Sequence, residues 1–167
     1  MQTVIRYATE EDLPALLDIY NYAVIHLPAT FDLEPQTLEQ RVVWFRQFGE
    51  RYPLLAAECD GTVVGYCGLT SFRAKPAYDR TAELSVYIDE RYHGKGIATR
   101  LLQAIIDEAR QRQFHVIVAC ITGGNEASVK LHEKFGFEFA GTFKKVGYKF
   151  DAWQDVWFYQ LTFGSGA

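Results

Sequence analysis

Hydrophobic residues in the first part of the chain change from an alternating pattern to a period of three to four positions. Residues 3–7 are predicted to form a short strand, and Thr9 and Asp12 are placed to cap a helix that begins near Glu10. After the loop "HLPATFDLEP", which is rich in helix breakers, the segment "QTLEQRVVWFRQF" predicts a second helix. The residues expected on the inward faces are Leu13, Leu16, Leu17 and Tyr20 in the first helix and Leu38, Val42, Phe45 and Phe48 in the second.

From Leu54 onward the period falls to two, which is typical of strands. The runs "LLAAEC" and "VVGYCGLTSF" flank the tight-turn pair Asp60-Gly61 and predict a hairpin. Further strands are predicted at 81–88, in the apolar run "HVIVAC" and on both sides of Asp151-Ala152-Trp153, with helices at about 96–113 and 126–135. The order β-α-α-β-β-β-α-β-α-β-β predicts an α/β (α+β) fold, a mixed central sheet of about seven strands flanked by helices.

Composition narrows the classes of function. The chain has 167 residues, of which 49% are hydrophobic and 15% aromatic, so we expect a single domain over residues 1–167 with one sizeable core. A net charge of -4 has the wrong sign for a protein that neutralises phosphates, which disfavours a nucleic-acid partner. No apolar run approaches the roughly 18 residues needed to span a bilayer, and no secretory signal is evident, so we expect a cytoplasmic protein without a membrane partner.

The cysteines give no evidence for a disulfide or a metal site. Cys59, Cys67 and Cys120 lie in apolar runs and lack the CxxC spacing of zinc ligands. We therefore expect buried, reduced thiols and no bound metal.

A glycine turn, Arg91-Tyr92-His93-Gly94-Lys95-Gly96, joins an alternating strand directly to an amphipathic helix. It is not a Walker A loop, because Lys95 is followed by Gly96 rather than by Ser or Thr. A dinucleotide fingerprint is weak, because its third small position is Thr99. The free backbone amides, the helix N-terminus and the charges of Arg91 and Lys95 suit a pyrophosphate, although an ordinary tight turn remains open on these residues alone.

A distant segment strengthens the interpretation of the glycine turn as a pyrophosphate site. "GNEASVKLHEKFGF" places Asn125 after a strand and Ser128 and His132 on one helical face. With the strand "TAELSVYI" and the Arg-x-x-Gly-x-Gly turn in this order, the chain resembles the GNAT superfamily of N-acetyltransferases. Further likeness to the phosphinothricin and methionine sulfoximine acetyltransferase branch extends over nearly the whole chain, in "IYNYAV", "RYPLLAAECDGTVVGYCGL", "AYDRTAELSVYIDE", "SVKLHEKFGF" and "VGYKFDAWQDVWFYQL".

This resemblance implies a GNAT fold, an acetyl-CoA-dependent N-acetyltransferase and a homodimer. Acetyl-CoA would lie where two parallel strands separate, with its pantetheine beside Val86, Tyr87 and Ile88. Asn125 and Ser128 would contact it from the other side, although Asn125 also suits a plain helix cap. The pyrophosphate would bind at Arg91, Tyr92, His93, Gly94, Lys95 and Gly96 and at the first helical residues Ile97 and Ala98.

Two residues are candidates for proton transfer. The acceptor amine must lose a proton, and Glu83, which shares a strand face with Ser85 and Tyr87, is the candidate base. The resemblance also places a glutamate base here, often acting through a water. His132 stands where the wider superfamily usually has a tyrosine acid. It could assist deprotonation of the amine, protonate the CoA thiolate or be structural.

Recognition of the acceptor is expected from the loop before this strand. Arg73, Lys75 and Arg80 lie there, and a guanidinium suits a carboxylate or phosphinate. Phe31 and Phe72 are candidate pocket walls, and Glu83 and Ser85 complete the predicted substrate site. The resemblance implies a small amino-acid-like amine of the phosphinothricin, methionine sulfoximine or methionine sulfone type. A protein N-terminus, a polyamine or an aminoglycoside remains an alternative acceptor, and a non-catalytic acyl-CoA-binding domain an alternative of another class.

Overall fold

The secondary structure follows the predicted order throughout residues 1–164, which the computed structural model describes; residues 165–167 of the expected domain lie outside the described part. The strands are β1 (Thr3–Tyr7), β2 (Leu54–Cys59), β3 (Thr62–Ser71), β4 (Thr81–Ile88), β5 (Val116–Thr122), β6 (Glu138–Lys149) and β7 (Ala152–Thr162). The helices are α1 (Leu13–His26), α2 (Leu38–Phe45), α3 (Ile97–Gln111) and α4 (Glu126–Lys134). Short 3-10 turns are formed by Glu10–Asp12, Pro76–Tyr78 and Glu90–Tyr92.

All seven strands belong to one sheet, in the order β1-β2-β3-β4-β5-β7-β6. Only β4 and β5 are parallel neighbours, and every other pair is antiparallel. The β4–β5 pairing covers Thr81–Leu84 against Val116–Ala119, although both strands continue beyond it. Their carboxyl ends therefore separate within the sheet.

The core lies on both faces of this sheet. One cluster joins α3 and α4 to strand residues such as Leu69 and Leu84, and the other joins α1 and α2 to residues such as Leu54 and Tyr66. Along β4, Leu84 belongs to the first cluster and Tyr87 packs on the second. Because strand side chains alternate between faces, Glu83 and Ser85 lie on the α1 side together with Tyr87.

The first helix is preceded by the predicted cap. Asp12 accepts a hydrogen bond from the Thr9 backbone N–H at 2.7 Å and also pairs with Arg6 at 2.8 Å. Leu13, Leu16 and Tyr20 are buried as predicted, whereas Leu17 is half-buried. The Arg6 guanidinium holds the pKa of Asp12 below its usual value.

The predicted inward face of α2 is wrong at one position. Leu38 is exposed, and Arg41 is buried in its place with 2% of its surface accessible. The Arg41 guanidinium lies 3.5 Å from the ring centroid of Trp44 and 4.4 Å from that of Tyr20. Aromatic faces attract a weakly hydrated guanidinium, which explains why a charged residue occupies this position.

The expectation of buried thiols is confirmed for Cys59 and Cys67 and is wrong for Cys120, which is exposed. Cys120 lies near the end of β5, where β4 no longer covers the strand. Within residues 1–164, no helix is long and apolar enough to cross a membrane.

Candidate active site

The separation of β4 from β5 opens a cleft of about 460 Å³. Backbone groups at the end of β4 lose their strand neighbour on the β5 side here, which opens that edge to a ligand. The Ile88 carbonyl lies 3.1 Å from Nε2 of His93, within hydrogen-bond distance. The residues that line the cleft from β4, the glycine turn, α3 and α4 are Val86, Tyr87, Ile88, Tyr92, His93, Gly94, Gly96, Ile97, Ala98, Thr99, Asn125, Ala127, Ser128 and Leu131. Ile19, Tyr22, Ala23, Leu27 and Ala29 line it from α1 and the segment that follows.

Four residues of the glycine turn line the cleft: Tyr92, His93, Gly94 and Gly96. Gly94 and Gly96 have φ angles of 73° and 78°, a left-handed conformation that favours glycine. Gly96 is also the N-cap of α3 and supplies no side-chain cap, so the amides of the first helical turn remain available. A helix N-terminus of this kind favours a phosphate group.

The two cationic side chains of the turn lie elsewhere. Arg91 forms an ion pair with Asp89 at 2.6 Å, and its guanidinium lowers the pKa of that carboxyl. Lys95 lies over the ring of Tyr92, with its ammonium 5.0 Å from the centroid. Neither side chain is among the cleft-lining residues, so their predicted contact with a pyrophosphate remains a prediction.

A smaller chamber of about 90 Å³ adjoins the cleft. The two cavities share Ala29, Val86, Tyr87, Asn125 and Ser128. The chamber is further lined by Leu84, Ser85, Ala119, Cys120, Ile121, Thr122 and His132. The structure therefore places the candidate residues Ser85 and His132 at the inner end of the cleft.

His132 is buried and held in one orientation. Its Nδ1 donates to the Ser128 carbonyl at 2.7 Å, and its ring packs edge-on against Phe137 with centroids 5.1 Å apart. Burial lowers the pKa of His132 below the usual value of 6.5, only partly offset by the bond to Ser128. The ring is therefore neutral at pH 7, which makes Nε2 a proton acceptor.

Glu83 is half-buried and has a neighbour that the sequence analysis missed. The Cys120 thiol donates to Glu83 Oε1 at 3.2 Å. Although Cys120 is exposed by its surface area, its thiol is partly enclosed by neighbouring atoms. This partial desolvation, together with the Glu83 charge, raises the pKa of Cys120 to about 12, so the thiol stays protonated at neutral pH. Only the β4–β5 register, which aligns Glu83 with Val118, brings these two residues together.

Asn125 caps α4 and also lies beside the two cavities. Its Oδ1 accepts a hydrogen bond from the Ser128 N–H at 3.2 Å, which caps α4. The residue also lines both cavities. The cap is therefore observed, and the predicted contact with the donor remains compatible with it.

The predicted acceptor-binding residues are only partly brought together. The Arg73 guanidinium lies 4.8 Å from the ring centroid of Phe72 and 5.9 Å from that of Tyr78. The positive charge of Arg73 lowers the pKa of the Cys120 thiol, but the opposite effect of burial is larger. Arg73, Lys75 and Arg80 are exposed. Neither cavity is lined by these three residues or by the other predicted residues Phe31, Phe72 and Glu83. Phe31 lies against Gly147, where a Cβ would come within 2.5 Å of its ring.

The separation of two parallel strands beside a glycine turn and a helix N-terminus forms a site suited to an extended, phosphate-containing ligand. Comparison with known proteins gives the family. Residues 5–158 match the family model described as "Acetyltransferase (GNAT) domain". The chain therefore belongs to the GNAT family of acetyltransferases.

Similarity to individual proteins extends over almost the whole chain. An L-methionine sulfoximine/L-methionine sulfone acetyltransferase from Pseudomonas aeruginosa is 41% identical over 96% of this chain and 95% of its own length. A phosphinothricin N-acetyltransferase from Streptomyces coelicolor is 38% identical over 93% of this chain and 94% of its own length. The crystal structure of a phosphinothricin acetyltransferase from Sinorhizobium meliloti, in complex with acetyl-CoA, superposes with a TM-score of 0.94 at 32% identity and covers 99% of this chain and 91% of that one.

The expected fold and class of enzyme are thereby confirmed: the protein is an acetyl-CoA-dependent N-acetyltransferase with a mixed seven-stranded sheet. Acetyl-CoA is the acetyl donor. The described residues, 1–164, contain no group of His, Cys, Asp or Glu side chains that could hold a metal ion.

Proposed function

We propose that this enzyme acetylates the primary amine of a small amino-acid-like substrate of the phosphinothricin, methionine sulfoximine or methionine sulfone type. The observation that carries the proposal is the Glu83 carboxylate, which accepts a hydrogen bond at 3.2 Å from the Cys120 thiol on the wall of the chamber. Arg73, in the loop before β4, adds a positive charge whose effect on the pKa of the same thiol is opposite to that of Glu83. A zwitterionic amino acid needs one group of each sign, the carboxylate for its amine and the guanidinium for its acidic group. The names of the relatives agree with such a substrate.

In the proposed reaction the protonated amine first loses a proton to Glu83, directly or through a water. The amine nitrogen then attacks the thioester carbonyl carbon, so that the C–N bond forms as the C–S bond breaks. The nitrogen now bound to the acetyl carbon gives a second proton to Nε2 of His132, whose Nδ1 proton is held by the Ser128 carbonyl. His132 passes that proton to the leaving thiolate, and a backbone amide near Tyr87 stabilises the oxyanion.

In the donor site, we assign the pantetheine to the open edge of β4, at Val86, Tyr87 and Ile88. The diphosphate binds the amides of 94–98, and Asn125 and Ser128 contact the donor from α4. The supporting observations are the free amides after Gly96 and the shared lining of the two cavities.

The assembly that we propose is a homodimer in the cytoplasm. β6 is an edge strand, and the β6–β7 hairpin exposes more than half of the surface of Phe139, Phe143, Val146, Tyr148, Phe150 and Trp153. Exposed apolar patches of this kind mark contacts with other proteins, and here a second copy of the chain is the proposed partner. Free thiols at Cys59 and Cys67 agree with a reducing compartment.

The experiment that tests the proposed function is release of CoA thiol from acetyl-CoA against a panel of amines. The panel contains phosphinothricin, methionine sulfoximine, methionine sulfone, free amino acids, spermidine, an aminoglycoside and an N-terminal peptide. We expect the first three to give the highest kcat/KM, because they carry both an amine and a second acidic or strongly polar group. Preference for spermidine or for the peptide would contradict the proposed substrate class, and binding of acetyl-CoA without turnover would contradict catalysis.

Glu83→Gln tests the base within the same assay. We expect kcat near neutral pH to fall by about 10²–10⁴-fold, because the amide cannot accept the proton. Glu133→Gln, at an exposed carboxylate on α4, is the matched control and should keep the wild-type rate. A Glu83→Gln enzyme with full activity would show that another group is the base.

A further inference from the structure

Lys149, the last residue of β6, is buried with 4% of its surface accessible. Its ammonium donates to the backbone carbonyl of Leu27 at 2.9 Å and to that of Thr30 at 2.7 Å. None of the ion pairs formed among residues 1–164 includes this lysine. The ammonium also lies 5.0 Å from the centroid of the Phe150 ring. Burial of a charge without an ion-pair partner is costly, so the two hydrogen bonds to carbonyl groups that offset its desolvation have a specific structural effect.

Both carbonyls belong to the connection between α1 and α2, which has no regular secondary structure from residue 27 to residue 37. We call residues 27–31 the bridging segment. The segment is fixed at two more points on the sheet: Thr122 of β5 donates through Oγ1 to the Pro28 carbonyl at 2.6 Å, and the Phe31 ring lies against Gly147 of β6. Contacts with β5 and β6 therefore determine where the bridging segment lies.

The bridging segment forms part of the active site. Leu27 and Ala29 line the cleft, and Ala29 also lines the chamber. Ala29 thus stands at the junction of the two cavities, where the thioester end of the donor and the acceptor amine must meet. A shift of this wall would misplace the two reacting groups relative to each other.

We propose that Lys149 is a positioning residue for acetyl transfer, because its ammonium fixes the bridging segment as the wall between the donor cleft and the acceptor chamber. Lys149 touches neither substrate; it acts through the Leu27 and Thr30 carbonyls. The inference rests on the proposed function only for the identity of the amine.

Replacement of Lys149 by Met tests this role, because Met keeps an unbranched side chain of similar length and removes the donors. We expect kcat/KM for the preferred amine to fall on the order of tenfold to a hundredfold, since small displacements of reacting groups have effects of this size. Hydrogen exchange should accelerate in residues 27–32 and remain unchanged in β7. Lys144→Met, at an exposed lysine of the same strand, is the control and should alter neither quantity.

Two further variants keep the test decisive if Lys149→Met folds poorly. Thr122→Val is nearly isosteric and removes the other hydrogen bond to the bridging segment, so it should accelerate exchange in the same residues and lower kcat/KM in the same direction. Lys149→Arg retains the charge and the donors and should recover part of the activity. Exchange and kinetics equal to those of Lys144→Met, or exchange that accelerates equally throughout the β6–β7 hairpin, would overturn the proposal.

Failure of the proposed function remains distinguishable from failure of this inference. A wild-type enzyme that acetylates no amine of the panel contradicts the function, whereas the exchange measurement needs no turnover. Unchanged exchange in residues 27–32 contradicts the positioning role of Lys149 whatever the substrate proves to be.

Discussion

His132 owes its protonation state to burial. The ring is 2% exposed, and its Nδ1 proton is committed to the Ser128 carbonyl, so a second proton must be added at Nε2 inside the protein. The pKa of His132 is therefore lowered in the folded state, whereas the unfolded chain has a value near 6.5. As the pH falls below about 6.5, the unfolded state binds this proton first, and the folded state loses stability relative to it.

This linkage predicts an acid-dependent loss of stability that depends on His132. The free energy of unfolding of the wild-type protein should fall as the pH is lowered from 7 through 6.5, by at most about 1.4 kcal/mol per pH unit from this group. Urea denaturation at several pH values measures the slope. His132→Gln should remove this part of the slope, and His115→Gln, at an exposed histidine, should not. Equal slopes in wild type and His132→Gln would show that the ring is not held neutral.

At the level of single residues, the sequence predicted which face of a strand a side chain occupies better than it predicted which residues that side chain contacts. Alternation along β4 places Glu83 with Ser85 and Tyr87, as the structure shows. The neighbour Cys120 depends on the register between strands far apart in the chain, which no local pattern contains. Arg91 forms an ion pair with Asp89, only two residues earlier in the chain. This local ion pair competes with the contact between Arg91 and a pyrophosphate that the sequence predicted.

Helix α4 begins at a residue that also lies against the two cavities. Asn125 caps the helix through the Ser128 N–H and lines both cavities. Asn125→Ala should lower the free energy of unfolding by about 1 kcal/mol, the usual effect of losing a cap, and should also weaken CoA binding. Asn125→Ser keeps a capping oxygen and should restore stability without restoring CoA affinity. Urea denaturation and calorimetric titration with CoA measure the two effects.

The cap of α2 provides the control for this prediction. Thr37 accepts a hydrogen bond from the Gln40 N–H at 3.2 Å and lies outside both cavities. Thr37→Ala should therefore lower stability and leave CoA affinity unchanged. If Asn125→Ala and Thr37→Ala behave alike in both measurements, Asn125 is a structural cap only.

The elements themselves were well predicted from the sequence, because their hydrophobic periods are long and uninterrupted. The exception is the inward face of α2. The pattern assigned an interior position to Leu38, whereas the aromatic rings of Tyr20, Trp44 and Tyr66 attract Arg41 instead. These rings come from α1, α2 and β3, so a helical period alone cannot indicate the site that they form.

For the whole molecule, the β6–β7 hairpin is the surface on which the proposed dimer depends. Simultaneous replacement of Phe143 and Trp153 by Ser should shift the protein from dimer to monomer, because it removes apolar area from a surface that the partner would cover. Sedimentation velocity at several concentrations measures the change. Val43→Ser, at an exposed apolar residue on α2, should leave the assembly unaltered. A wild-type protein that is monomeric at micromolar concentration would contradict the homodimer.

The order of elements predicted the architecture but not the connection that completes the site. The strand and helix order predicted a mixed sheet, and the resemblance carried by β4, the glycine turn and the α4 segment implied a GNAT fold and an acetyl-CoA cleft. The position of residues 27–31 could not be expected, because it depends on Lys149 and Thr122, which lie about a hundred residues away in the chain. Irregular segments take their shape from such distant contacts rather than from a local period.

The short β4–β5 pairing has a consequence for stability: an acetyl donor bound at the open edge, as proposed, would stabilise the fold as well as react. Four residues of β4 pair with β5, and the remainder of that edge is left for a ligand. A ligand that binds only the folded chain adds about 2.7 kcal/mol of stability at a concentration one hundred times its dissociation constant. The lifetime of this enzyme in a cell should therefore follow the supply of acetyl-CoA, so that the amount of catalyst declines when its donor is scarce.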